Sequence, residues 1–144
     1  MIIINIRMDD LLKEFEAAKE RWIKEEIAPA LTVAGEHFVN NAKSLPSPPA
    51  SNRGTPHQPN YIDDTTNLRN ANSYEVSRKG SILASDVGRN ETAEFFSKSR
   101  DNGADLELLM GNGMKYASFV EAKGYDVNTS PQMKAQQELN DKFK

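Results

Sequence analysis

The chain opens on an apolar run, Ile2-Ile3-Ile4-Asn5-Ile6. β-branched side chains suit a pleated surface, so the run predicts a short strand, ending near Met8, at the edge of a sheet. The period then changes. Leu11, Leu12, Phe15, Ala18, Trp22, Ile23, Ile27, Ala30, Leu31, Ala34, Phe38 and Ala42 recur at helical spacing. Lys13, Glu14, Glu16, Lys19, Glu20, Lys24 and Glu25 fall mostly elsewhere. This is the stripe of one long amphipathic helix, with Trp22 on its core side. Asp9 or Asp10 can cap it, because a carboxylate there accepts from first-turn amides and meets the positive end of the dipole. Pro29 lies inside the pattern. It has no N–H and clashes with the preceding turn, which predicts a kink or break near Glu26–Ala28. Gly35 is a second soft point, and the pattern runs out at Asn40–Lys43.

Beyond it the apolar positions thin out. Residues 44–60 hold most of the prolines and almost no large apolar group, so they predict a long extended or flexible loop, the kind that serves as a binding arm when ordered. Asp63 to Asn70 offers N-caps for a short helix or turn. Tyr74–Arg78 alternates and predicts a strand, Lys79-Gly80 a turn, and Ser81–Val87 the hairpin partner. Glu94–Ser97 is a further strand candidate, and Lys98 to Asp105 a polar loop. Leu106–Met110 predicts a strand closed by a tight turn at Gly111-Asn112-Gly113. From Gly113 to Gly124 a compact helix carries Tyr116, Phe119 and Val120 on one face, and Gly124 suits the left-handed residue that ends it. Ser130 as cap and Pro131 at the first position open a terminal helix with Met133, Leu139 and Phe143 as its apolar points. No internal repeat is visible.

Composition narrows the classes. At 144 residues the chain has the length of one domain, 1–144, and at 38% apolar it can bury a modest core. Charged residues make up 27% and nearly balance, with a net charge of −3, so nothing draws it generally to nucleic acid or anionic membrane. The absence of cysteine excludes disulfides and thiolate metal sites and is compatible with a reducing cytoplasm. The opening isoleucine run is too short to span a bilayer or to form a signal-peptide core, which predicts a soluble protein that is not secreted through a cleaved signal.

Candidate chemistry is sparse. His37 and His57 are the only histidines, and neither has a partner at a zinc-binding spacing. The plain reading is helix surface for one and loop surface for the other. Asp9/Asp10 and Asp63/Asp64 are adjacent pairs, and neighbours in sequence point apart more often than they converge on a metal or substrate. Capping explains them better. Glu121 lacks an identifiable base, nucleophile or metal partner. Gly111-Asn112-Gly113 lacks the Gly-Lys-Ser/Thr of a phosphate loop. The arginines and lysines from Arg53 to Arg100 are scattered among acids without interleaved aromatics, so no specific nucleic-acid contact is indicated. Tyr116, Phe119 and Tyr125 suit either a core or an interface.

Two stretches together resemble a known family. Asp64-Thr65-Thr66-Asn67-Leu68-Arg69-Asn70-Ala71-Asn72-Ser73-Tyr74 is similar to the Asp-Thr-Gly-x-Leu-Arg-x-Ser-Ile segment of small tailed-phage tail-completion, minor-tail and head–tail joining proteins. Tyr116-Ala117-Ser118-Phe119-Val120-Glu121 resembles that family's Tyr-Ala-x-Tyr-Val-Glu segment. The order of elements also matches, including a long helix ending near a Leu-Pro, here Leu45-Pro46. Thr66 replaces the motif glycine, and Asn72-Ser73 replaces the Ser-Ile. The resemblance implies an α+β fold: a small antiparallel β-sheet packed against a long N-terminal helix, with a short helix and a C-terminal helix. It implies a non-enzymatic virion structural protein without cofactor or metal. That protein would assemble in the host cytoplasm and end in the neck or tail of the virion, as a homo-oligomeric ring docking to tail-tube, tail-terminator and connector proteins.

On this reading Tyr116, Phe119 and Val120 are internal anchors, with Leu68 and Arg69 at the neighbouring edge. Glu121, Lys123 and Tyr125 are candidates for contact between subunits. The alternatives are a small hydrolase or nuclease using Asp63, Asp64, Glu121 or His37, and a host protein-binding module.

Overall fold

The structure, a computed structural model, describes residues 1–6, 16–45, 67–114, 117 and 127–144. The elements run β1 (Ile2–Ile6), α1 (Glu16–Trp22), a π turn (Ile23–Ile27), α2 (Ala28–Lys43), α3 (Asn67–Asn70), β2 (Asn72–Arg78), β3 (Ser81–Asp86), α4 (Asn90–Ser99), β4 (Leu106–Asn112) and α5 (Thr129–Lys142). The expected antiparallel sheet and long N-terminal helix are both present. The caps at Asp9/Asp10 and Asp63, most of the proline-rich loop and most of the helix after Gly113 lie outside the described residues. No helix among the described residues is long and apolar enough to cross a membrane.

The strands lie in the order β1-β4-β2-β3, each pair antiparallel. β1 is an outer strand, as its sequence predicts. Register sorts the side chains. Ile2, Ile4 and Ile6 stand opposite Met110, Leu108 and Leu106, and Met110 and Leu108 stand opposite Tyr74 and Val76. Because side chains alternate along a strand, these share one face. The other face carries Glu75, Ser77, Glu107 and Leu109. The hairpin between β2 and β3 turns through Lys79 (φ 47°) and Gly80 (φ 86°), the two positive angles that match the right-handed twist of the strands.

α2 lies across the apolar face with α5 beside it. Ile23, Ile27, Leu31, Ala34, Phe38, Val39 and Ala42 meet Tyr74, Val76, Leu106, Leu108 and Met110, while α5 contributes Ala135 and Leu139. Phe38 is fully buried. Burial of a side chain of that size stabilises by about 3 kcal/mol. Helix and sheet approach closely at Gly35, where any Cβ would overlap the ring of Tyr74.

The break expected near Glu26–Ala28 is a π turn over Ile23–Ile27, with Pro29 just after it. Pro29 occupies the opening turn of α2, where a missing N–H costs little. The strain is taken up ahead of it by the π turn, in which the Ala28 N–H bonds back to Ile23 O.

Other expectations are corrected. Glu94–Ser97 is not a strand but part of α4, which covers β2 and β4 on the face bearing Glu75. Thr92 and Phe96, four apart, turn inward, and Phe95 turns out. Gly111-Asn112 is not a turn: both residues continue β4, opposite Ser73 and Asn72. Trp22 is 42% exposed, because Ile23 and Ile27 take the inward positions of the π turn. In α1 the inward residue is Lys19, which pairs with Glu16 at 3.5 Å. α5 begins at Thr129 behind Asn128, not at Pro131 behind Ser130. Its inward side is Pro131, Gln132, Ala135 and Leu139, so Met133 and Phe143 face outward.

Gly35→Ala gains helix preference but drives a methyl into Tyr74. The expected net effect is a destabilisation of roughly 1–2 kcal/mol, read as a lower urea midpoint at unchanged slope. An unchanged or higher midpoint would show that the close approach is not constraining.

Candidate functional site at the meeting of two motifs

One described residue from each of the two stretches singled out in the sequence, Leu68 and Ala117, lies in a common cluster. Leu68, Ala117 and Val127 form a small buried cluster separate from the main core, with Met114 packed against it. Leu68 belongs to the first stretch and Ala117 to the second. Arg69 does not project as a free contact. Its guanidinium donates to the carbonyl of Leu45, just beyond α2. The Leu-Arg pair therefore joins the end of the long helix to the start of β2. Tyr116, Phe119, Val120, Glu121, Lys123 and Tyr125 lie outside the described residues, as do Asp63, Asp64 and His57.

Around this cluster lies a set of amides that the sequence reading passed over. Asn112 Nδ2 donates to Leu68 O at 2.6 Å and to Asn72 Oδ1 at 3.2 Å, and Asn112 Oδ1 accepts the Met114 N–H at 3.0 Å. Asn128 Nδ2 donates to the same Asn72 Oδ1 at 3.5 Å. Asn128, at the cap position of α5, makes no side-chain cap bond. The only available signal was that asparagine is disfavoured in strands, yet one stands at the start of β2 and another at the end of β4.

Two hydroxyls complete the junction. Thr92 Oγ1 donates to Ala71 O at 3.0 Å and accepts the Gly113 N–H at 2.9 Å. Ser73 Oγ donates to the same carbonyl at 2.9 Å and accepts the Gly88 N–H at 3.1 Å. These groups are neutral, and their partners are largely backbone. Chemically the arrangement positions segments and satisfies most of their polar atoms, Asn72 Nδ2 being buried without a hydrogen-bond partner.

The titratable groups lie elsewhere, on the α4 face of the sheet. Arg100 clamps Glu75 through Nε (2.6 Å) and Nη2 (2.9 Å), a bidentate pair with Glu75 nearly buried. The bonds to Glu75 hold the Arg100 guanidinium above its ordinary pKa. Glu107 is 1% exposed. Its Oε1 accepts the Asp101 N–H at 2.9 Å, while its Oε2 has no hydrogen-bond partner. Burial pushes the Glu107 carboxyl above the usual range, and the charges of Asp101 and Glu75 add to the rise. The Asp101 N–H and the Asn5 side chain oppose it.

On the opposite side, His37 Nδ1 lies 2.9 Å from Glu138 of α5, both at the surface. His37 is thus a helix-surface residue, as the sequence reads it, with a carboxylate partner that spacing alone does not reveal. Among the described residues no three His, Asp or Glu side chains gather so as to hold a metal ion.

Two expected outcomes follow. Asn112→Ala leaves the Leu68 carbonyl and the Met114 N–H without their partner, at a cost of about 2 kcal/mol. Hydrogen exchange reads it as faster exchange around Met114. Exchange there at the wild-type rate would mean that the amide is replaceable. The raised Glu107 pKa makes a contribution to stability that is fully present below the unfolded carboxyl's pKa and is lost as pH rises through the folded one. Stability of the wild type should therefore fall relative to Glu107→Gln from mildly acidic pH upward. Parallel pH profiles for the two proteins would refute this.

No family model, curated protein or solved structure matches the chain.

Proposed function

We propose that this chain is a non-enzymatic structural protein of a tailed phage or prophage, a tail-completion or head–tail joining subunit. The observation that carries the reading is the contact between Leu68 and Ala117 in one buried cluster. Two separate segments resemble the same family, and Leu68 of one and Ala117 of the other share that cluster.

The sheet supplies a mechanism for self-association. β1 and β3 are its outer strands. β1 carries no charged side chain, and β3 carries only Asp86 at its end. Ile3, Ile82 and Leu83 are among the exposed large apolar residues. Edges of this kind lack the lysines and prolines that keep sheets from pairing with one another. An outer strand of one copy that pairs with the opposite outer strand of the next makes a head-to-tail contact, and repetition of that contact closes a ring. Docking to tail-tube, tail-terminator and connector proteins follows in the host cytoplasm, and the product remains in the virion neck or tail.

Ile82 and Leu83 are exposed, so lysine at both positions leaves the core intact. Sedimentation velocity of Ile82→Lys/Leu83→Lys should show self-association at least tenfold weaker, about 1.4 kcal/mol. A wild-type protein that stays monomeric alone and never enters purified neck or tail particles would sink the assignment.

A further inference from the structure

A groove runs between the π turn, the start of α2 and the end of α5. Its apolar floor is Pro29, Ala30, Val33 and Leu139. Val33 is 45% exposed. The walls carry Glu25, Glu26 and Glu138 against the single cation Lys142. His37 stands next to Glu138 and is charged only when protonated.

The cavity is about 230 Å³ and open to solvent. That is below the roughly 300–1,000 Å³ that encloses small ligands, and its shape suits side chains projecting from a chain laid along it.

We propose that this groove receives a cationic amphipathic segment of a partner protein, with aliphatic side chains on Val33 and Leu139 and lysines or arginines facing Glu25, Glu26 and Glu138. Charge complementarity selects the occupant. A second copy fits less well. Beside its exposed Ile82 and Leu83 stand Arg78, already paired with Glu20, and Lys79, which faces Asp105. Arg89 faces Glu91, Arg100 holds Glu75, and Lys144 faces Asp141. At the Ile82–Leu83 edge a second copy thus offers only cations that already face a carboxylate, whereas a cationic partner segment brings its own beside its apolar row. The inference goes beyond the assembly reading and stands on the groove alone.

The test uses the full chain and two synthetic amphipathic peptides, one of leucine and lysine and one of leucine and glutamate, followed by fluorescence anisotropy. Glu25→Lys/Glu26→Lys reverses the wall charge at two exposed positions, Val33→Ser removes floor, and Glu94→Lys on the exposed side of α4 is a distant charge control. The leucine–lysine peptide should bind the wild type and weaken with salt. The double reversal should weaken it at least tenfold, Val33→Ser should weaken it several-fold, and Glu94→Lys should leave it unchanged.

The proposal is overturned if the leucine–lysine peptide does not bind, if the acidic peptide binds equally, or if Glu94→Lys weakens binding as much as the double reversal does. It is also overturned if the double reversal changes self-association in sedimentation without peptide, which would make a second copy the occupant. Entry into neck or tail particles is a separate measurement, so failure of the assembly reading is distinguishable from failure of this one.

Discussion

The close contact of α2 with the sheet sets the terms for the rest of the fold. At Gly35 the helix backbone meets the ring of Tyr74 with no room for a side chain between them. That approach brings Phe38 and Leu31 down among Val76, Leu108 and Met110, and it fixes the level at which α5 can lie beside α2. Interiors are close-packed, so one tight contact constrains its neighbours. The apolar face is closed by helices, and the opposite face is left to α4 and a few buried charges.

The two faces obey different physics. On the helix side burial alone does the work, and Ile, Leu, Val and Phe suffice. On the α4 side the sheet buries Glu75 and Glu107, which need partners. Arg100 meets Glu75 from the loop after α4, whereas Glu107 is satisfied at only one oxygen. Placement of α4 therefore depends on polar geometry as well as on Phe96. Such pairs confer specificity of arrangement more readily than net stability.

Sequence pattern revealed most of the strands and the long helix. β1, the β2–β3 hairpin, β4 and the long helix all carry a period that survives into the structure. The pattern misled where local and tertiary signals diverged. Phe95-Phe96 read as a strand because the turn of α4 is visible only once Thr92 is known to point inward. Met133 and Phe143 read as core because apolar type was taken for apolar position, whereas α5 buries Gln132, whose amide reaches Met110 O at 3.4 Å. The asparagine junction was illegible for a plainer reason. Asn72, Asn112 and Asn128 are far apart in sequence, and hydrogen bonding between side chains leaves no periodic trace. The Leu68–Ala117 contact was legible only as a neighbourhood, since the sequence set Leu68 beside the Tyr116 stretch without giving the residues that touch.

The π turn bears on how the helical stripe is written. Lys19, Ile23, Ile27 and Leu31 face inward at strict intervals of four. On a regular α-helix each such step falls about 40° past a full turn, so the row would wind off the core within three steps. A turn closed from residue i to i+5 holds more residues and absorbs the surplus. The turn thus works as a phase corrector: it lets a sequence of spacing four stay aimed at one surface. Its position just ahead of Pro29 also means that α1 and α2 keep separate rotational settings. Loss of one residue between Ile23 and Ile27 would let the turn close from i to i+4 as regular α-helix, while the contact of Gly35 with Tyr74 stayed where it is.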